Sequence, residues 1–149
     1  MKIMVINGPN LNLLGSREPE MYGDTTLEMI ETRLASLAHE LDVELEFVQS
    51  NSEGELIDHI HRAGTRADGI VINPAAYTHY SIAIRDALAA VPAPAVEVHM
   101  TNVHGRESFR GRSVVAAVCV GGLWGFGAAT YEGALRLLVD GLNADEISW

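Results

Sequence analysis

Short apolar runs of β type alternate with amphipathic runs along the whole chain, and this alternation limits the possible folds more than any other feature. Lys2 to Asn7 reads as a first strand. From Thr25 to Leu41 the residues Leu27, Ile30, Leu34, Leu37 and Leu41 recur at spacings of three and four, which is one face of a helix. Thr25 and Glu28 make a capping box at its start. Val43 to Gln49 reads as the second strand, and Ser52 with Glu55 opens a second helix that runs to about Arg66. Asp68 to Asn73 is the third strand. The next helix, from about Ser81 to Ala90, stops ahead of Pro92, because a residue before proline is pushed out of the helical region. Ala95 to His99 and Val114 to Val120 read as strands four and five. Tyr131, Leu135, Leu138 and Leu142 stripe a last helix from about Gly127 to Asn143.

Strands that alternate with helices pair in parallel, and a parallel sheet needs a helical cover on both faces. At 149 residues the expected class is α/β, a flavodoxin-like doubly wound five-stranded parallel sheet with helices on both faces. Such sheets bind ligands outside the carboxyl ends of their strands. Unusual polar residues fall there: Asn7 to Asn10, Asn73 to Ser81, and Glu97 to Asn102. Lys2 lies at the other end of the first strand.

Composition removes several classes of function. A net charge of −10 argues against nucleic acid, whose phosphates need a basic face. The longest apolar run, Ser113 to Phe126, is too short and too interrupted by glycine to span a bilayer, so no membrane partner is expected. The opening MKIMVINGPN runs straight into a Gly-Pro-Asn turn and reads as a strand rather than a leader. The single cysteine, Cys119, sits in an apolar run and reads as a buried structural thiol. Nine arginines against the one lysine, Lys2, leave little room for Schiff-base chemistry but supply forks suited to carboxylates.

Three segments carry the candidate chemistry. GPNLNLLGSREPEMYGD, Gly8 to Asp24, is a long loop of the kind that forms lids and binding loops, with a surface excursion as the bland alternative. NPAAYTHYS, Asn73 to Ser81, precedes a helix whose free amides favour an anion; Ser81 as a plain cap and His79 as a satisfied loop histidine are the alternative. EVHMTNVHGRESFRGR, Glu97 to Arg112, is the densest. Glu97 and His99 are two apart on a strand and share a face, so the carboxylate can set the tautomer of the imidazole and stabilise its protonated form, as suits a general acid. Arg106, Arg110 and Arg112 follow in one loop, where a solvated charged loop is the alternative. Gly125 to Thr130 imitates a dinucleotide fingerprint but opens the last helix without a following strand. His59 and His61 diverge on their helix, and no metal-ligand spacing occurs.

Taken together, INGPNLNLLGSREPEMYG (Ile6 to Gly23), NPAAYTHYSIAIRDAL (Asn73 to Leu88) and VEVHMTNVHGRESFRGRS (Val96 to Ser113) resemble the signature blocks of the type II 3-dehydroquinate dehydratases. The resemblance implies a cytoplasmic hydro-lyase of the shikimate pathway, or of quinate breakdown, that converts 3-dehydroquinate to 3-dehydroshikimate without metal or cofactor. It implies a single catalytic domain over 1–149 with a lid loop at about 16–25, and a homo-oligomer, a dodecamer built from trimers. By the same resemblance Tyr22 is the base, Arg17 favours its phenolate, and Asn10 holds a water on the enolate oxygen. His99 is the acid, oriented by Glu97. Asn73, His79, Arg110 and the backbone amides of Met100 and Thr101 bind substrate, and Asp86 reaches a neighbouring subunit's site. Three residues depart from the family pattern: Ala75 stands where Gly is expected, Tyr80 where Thr is expected, and Thr101 where Ser is common. The alternative from another class is a flavin-binding electron carrier on the same fold. It would need a glycine- and hydroxyl-rich phosphate loop after the first strand, where NGPNLNLLG offers asparagines and leucines instead.

Overall fold

The computed structural model describes residues 1–16, 18–145 and 147. Five strands form one parallel sheet in the order β2-β1-β3-β4-β5: β1 (Lys2–Asn7), β2 (Glu44–Gln49), β3 (Gly69–Asn73), β4 (Ala95–His99) and β5 (Gly121–Trp124). This is the flavodoxin-like order, in which the chain winds to one side of β1 and then to the other. The helices are α1 (Pro19–Tyr22), a single turn, then α2 (Leu27–Leu41), α3 (Glu53–Arg66), α4 (Ile82–Ala90) and α5 (Ala129–Asn143).

Two apolar layers sandwich the sheet because alternate residues of a strand point to opposite faces. Ile3, Val5, Val71, Val96 and Val98 pack with α2 and α5, through Ile30, Leu34, Tyr131, Leu135 and Leu138. Met4, Ile6, Ile70 and Ile72 pack with α3 and α4, through Leu56, Ile60, Ile84 and Leu88. Arg33 of α2 also holds Glu132 of α5 with two hydrogen bonds of 2.9 and 2.7 Å.

Two sequence expectations need correction. The fifth strand is Gly121–Trp124, not Val114 to Val120. The earlier run is apolar because Val114, Val115 and Cys119 fill the layer beside α4, and Ala116–Val118 forms a 3-10 turn. The true edge strand opens with two glycines, which carry no β signal of their own. The cap of α2 is Thr26 rather than Thr25; its hydroxyl accepts from Met29 N at 3.2 Å, so Glu28 is not placed for a capping box. Ser52 does cap α3, accepting from Glu55 N, while the Glu55 carboxylate takes the hydroxyl of Ser50. Cys119 is buried, and burial, followed by the charge of Glu97, pushes its thiol up to about 12, which leaves it a structural residue.

The turn that leaves β1 lies hard against the turn that leaves β3. Gly8 donates its N–H to Asn73 O at 2.8 Å, and a Cβ on Gly8 would stand 2.6 Å from Pro74 O. That neighbour is backbone and has no rotamer by which to yield. We expect Gly8→Ala to cost about 1–3 kcal/mol, as overpacking does, read as a lower midpoint in denaturant unfolding. An unchanged midpoint would show that the two turns can separate freely.

Candidate active site

Above the carboxyl ends of β1, β3 and β4 lies a cleft of about 720 Å³ counted out to its open mouth. Its lining brings together Asn10, Tyr22, Asn73, His79, His99, Met100, Thr101 and Arg110 from the three sequence segments. Glu97 stands directly behind His99. Asp86 lies elsewhere, exposed on α4 and outside the lining. Arg17 falls outside the described residues.

Each segment is set by its own chemistry. Asn10 takes a left-handed conformation, φ 68°, which asparagine tolerates, and its N–H donates to Asn51 Oδ1 at 2.9 Å. Asn73 is buried at the end of β3. Its Nδ2 donates to the hydroxyl of Tyr131 at 2.8 Å, and that hydroxyl donates to Asn7 Oδ1 at 2.7 Å. Asn73 Oδ1 accepts from Ala75 N at 3.1 Å. Tyr131 is wholly buried, and burial pushes its ionisation to higher pH, so it remains a neutral phenol linking two amides. Ala75 has φ 51°, the left-handed region that costs a side-chain-bearing residue about 1–2 kcal/mol. This accounts for glycine being the expected residue there. His79 pairs Nδ1 with Arg112 O at 2.7 Å; a carbonyl only accepts, so Nδ1 carries the proton and Nε2 is left over. Ser81 caps α4, accepting from Ile84 N at 3.0 Å. His79 is thus both a satisfied loop histidine and a wall of the cleft.

On β4 the expected pair is formed. His99 Nε2 lies 2.7 Å from Glu97 Oε1. The carboxylate is acceptor-only when ionised, so Nε2 carries a hydrogen and Nδ1 is the free ring nitrogen. Glu97 is 3% exposed, and its burial opposes the charge. Hydrogen bonds from His99 and Thr78, with Ser113 behind them, outweigh that burial and hold the carboxyl below the ordinary glutamate range.

In the sequence Arg106 is marked only as one of three arginines in a loop. In the structure its Nη1 donates to the Tyr22 hydroxyl at 3.0 Å and to Thr101 Oγ1 at 3.3 Å. Its guanidinium also lies 5.8 Å from the centre of the Tyr22 ring. The two residues are 84 apart in the chain, so no local pattern could have joined them. Arg110 donates Nε to Glu107 Oε2 at 2.6 Å and covers the Phe109 ring. Among the described residues no aspartate or glutamate lines the cleft, while Arg106 and Arg110 do. The cleft is therefore locally cationic in an acidic protein and suited to an anion. Among the described residues no three His, Cys, Asp or Glu side chains stand close enough to hold a metal ion together.

The family model for dehydroquinase class II matches residues 1–139. The chain belongs to the class II dehydroquinases. As a class II dehydroquinase it is 58% identical, over 96% of its length and 93% of the relative's, to a protein of Carboxydothermus hydrogenoformans named 3-dehydroquinate dehydratase. Two solved type II dehydroquinases superpose closely. The one from Butyrivibrio crossotus has a TM-score of 0.91 at 49% identity, covering 93% of this chain and 97% of that one. The one from Propionibacterium acnes has a TM-score of 0.90 at 45% identity, covering 93% and 96%. Membership in this enzyme family removes support for the flavin-carrier alternative, which shared only the fold.

The lowered Glu97 carboxyl has a consequence for acid stability. A group whose folded pKa is depressed adds stability above its unfolded value, and this is lost as pH falls through the folded value. The window therefore lies below the ordinary 4.5. Glu97→Gln turns an acceptor toward three donors into a group that itself donates. It should be about 1.5–3 kcal/mol less stable near neutrality and lose less on acidification than the wild type. Equal acid slopes in the two proteins would assign acid unfolding to other carboxylates.

Proposed function

We propose that this chain dehydrates 3-dehydroquinate to 3-dehydroshikimate, with Tyr22 as base and His99 as acid. The observation that carries the reading is the convergence of two prepared pairs on one cleft with no acidic lining among its described residues: Arg106 on the Tyr22 hydroxyl, and Glu97 on His99. The substrate itself comes from the names of the relatives.

The carbon beside a ketone is a weak acid, so its base must be strong and yet ionised near neutrality. Free tyrosine ionises near pH 10, so a phenolate at pH 7 costs roughly 4 kcal/mol. A guanidinium about 4 Å away offsets on the order of 4 kcal/mol at an effective dielectric near 20. Arg106 stands within hydrogen-bond distance of the Tyr22 hydroxyl and is the described cation placed to meet the phenolate. Arg17, outside the described residues, keeps its proposed place as a second cation on the same phenolate. Once the proton is removed, charge moves to the ketone oxygen, and Asn10 holds the water that meets it. The departing hydroxyl is a poor leaving group and takes a proton from His99, whose imidazolium the Glu97 carboxylate stabilises. Asn73, His79, Arg110 and the amides of Met100 and Thr101 bind the substrate's carboxylate and hydroxyls. The residues at about 16–25 act as the lid of a single catalytic domain over 1–149; Gly15 (φ 89°) and Gly23 (φ 69°) flank the helical turn that carries Tyr22. No metal or cofactor has a part in these steps.

The wider setting belongs to the same reading: a cytoplasmic enzyme of the shikimate pathway, assembled as a dodecamer built from four trimers. Asp86 supports the assembly by its exposure on α4 beside exposed Ile82 and Tyr80, free to reach a neighbouring cleft. Sedimentation should find a trimer-based particle, and a fully active monomer would remove Asp86 from the site.

The direct test is to add 3-dehydroquinate and follow the ultraviolet absorbance of the conjugated enone. Tyr22→Phe should bind substrate and barely turn it over. His99→Ala should fold and lose about 10²–10⁴-fold in kcat. Arg106→Ala removes the donor on the Tyr22 hydroxyl and should lower kcat more than it raises KM. The assignment of the base fails if Tyr22→Phe keeps most of its activity. That of the acid fails if His99→Ala changes only KM.

A further inference from the structure

We infer that Thr78 and Ser113 are positioning residues for His99, acting through Glu97 to fix which ring nitrogen faces the cleft. The inference rests on the reading of His99 as the acid.

Glu97, Thr78 and Ser113 meet on the α3/α4 side of β4. The Thr78 hydroxyl donates to Glu97 Oε1, the same oxygen that His99 Nε2 reaches at 2.7 Å. Ser113 Oγ lies 2.9 Å from Glu97 Oε2 and 3.1 Å from Oε1. It also accepts two backbone N–H groups, from Val115 at 3.1 Å and Ala116 at 2.9 Å. A hydroxyl has two lone pairs and one hydrogen. With both lone pairs engaged, the hydrogen of Ser113 is left to donate; Thr78 Oγ1 at 3.0 Å and the carboxylate are both beside it, and the charged carboxylate is the stronger acceptor. Thr78 is 1% exposed, so its hydroxyl has no solvent to turn toward.

The carboxylate is therefore held from two sides by neutral donors before His99 contributes. Held in this way it cannot swing its oxygens off the ring, and it accepts from Nε2 rather than from Nδ1. The neutral ring keeps one tautomer, and the proton delivered to the leaving hydroxyl travels on Nδ1.

The same hydroxyls tie the acid to the substrate-holding segments. Thr78 precedes His79, and Ser113 follows Arg112, whose carbonyl takes His79 Nδ1. Val114 N donates to Thr78 O at 2.8 Å, so the two segments are joined along their backbones as well. The acid is in register only when both segments are seated.

The test uses Thr78→Val, which keeps shape and removes the hydroxyl, with Thr78→Ser as the conservative variant and Ser113→Ala and Ser113→Thr as an independent pair. Each is assayed with 3-dehydroquinate, and the ring nitrogens of His99 are observed by ¹⁵N NMR in the free protein. Thr78→Val should lower kcat by about 10–100-fold with KM nearly constant, less than the 10²–10⁴-fold of losing an acid outright. Its neutral His99 should show both tautomers, where the wild type shows Nε2–H alone. Thr78→Ser should restore most of kcat and the single tautomer, and Ser113→Thr should do the same against Ser113→Ala. Wild-type kcat and a single tautomer in Thr78→Val would overturn the inference. Equal loss in Thr78→Val and Thr78→Ser would overturn it too, since that would make the effect one of packing. His99→Ala distinguishes loss of the acid from loss of its positioning. If it keeps its turnover, the acid reading itself has failed. If it is inactive while Thr78→Val is normal, only the positioning role has.

Discussion

Parallel pairing of β1 with both β2 and β3 sends every loop that follows a strand to one edge of the sheet. The cleft is built entirely from that edge. The register aligns Gln49, Asn7 and Asn73 as the last rung of three adjacent strands. Below that rung the central strands are apolar on both faces; at it the side chains become amides. An amide rung at the rim of a dry core has to satisfy its own hydrogen bonds, and Tyr131 from α5 does this for Asn7 and Asn73 together. A helix of the outer layer thereby sets the floor of the cleft.

Glu97 is the second constraint. A carboxylate so deeply buried on a central strand is a poor source of net stability, because its desolvation cancels much of the attraction it gains. Its value lies in fixing direction. Thr78, Ser113 and His99 surround it, each from a different part of the chain, so the orientation of one imidazole depends on three segments being folded. His99 sits on a strand and Tyr22 on a helical turn between two loops. The strand fixes its side chain through the sheet, while Tyr22 is fixed through its hydroxyl by Arg106.

Much of this was legible in the chain. β1 and β3 are near-continuous apolar runs, as strands buried on both faces must be, and in β4 the run is broken only by Glu97 and His99, whose i, i+2 spacing was enough to foresee their contact. Legibility ended where a residue's partner is distant or its neighbours are ambiguous. Two adjacent threonines can each cap a helix, and only the backbone chooses Thr26. Val114 to Val120 has the composition of a strand yet serves as filling between α4 and the sheet, while the actual edge strand begins with glycines whose only qualification is a partner, Val96 and then Glu97. The contact of Arg106 with Tyr22 is a product of the tertiary fold alone. The role of Thr78 was hidden in the same way, since a threonine in a polar loop carries no mark of the carboxylate above it.

The scarcity of lysine has a practical side. Lys2 is the only side-chain amine in the chain, and it lies at the amino edge of the sheet between Glu44 and Glu46, with ion pairs of 3.1 and 3.0 Å. The cleft opens at the opposite edge. Coupling through lysine to a resin, a sensor chip or a dye would fasten each copy by its base and leave the mouth of the cleft toward the bulk liquid. Such an orientation usually has to be engineered into an immobilised catalyst, and here the arrangement of charges supplies it.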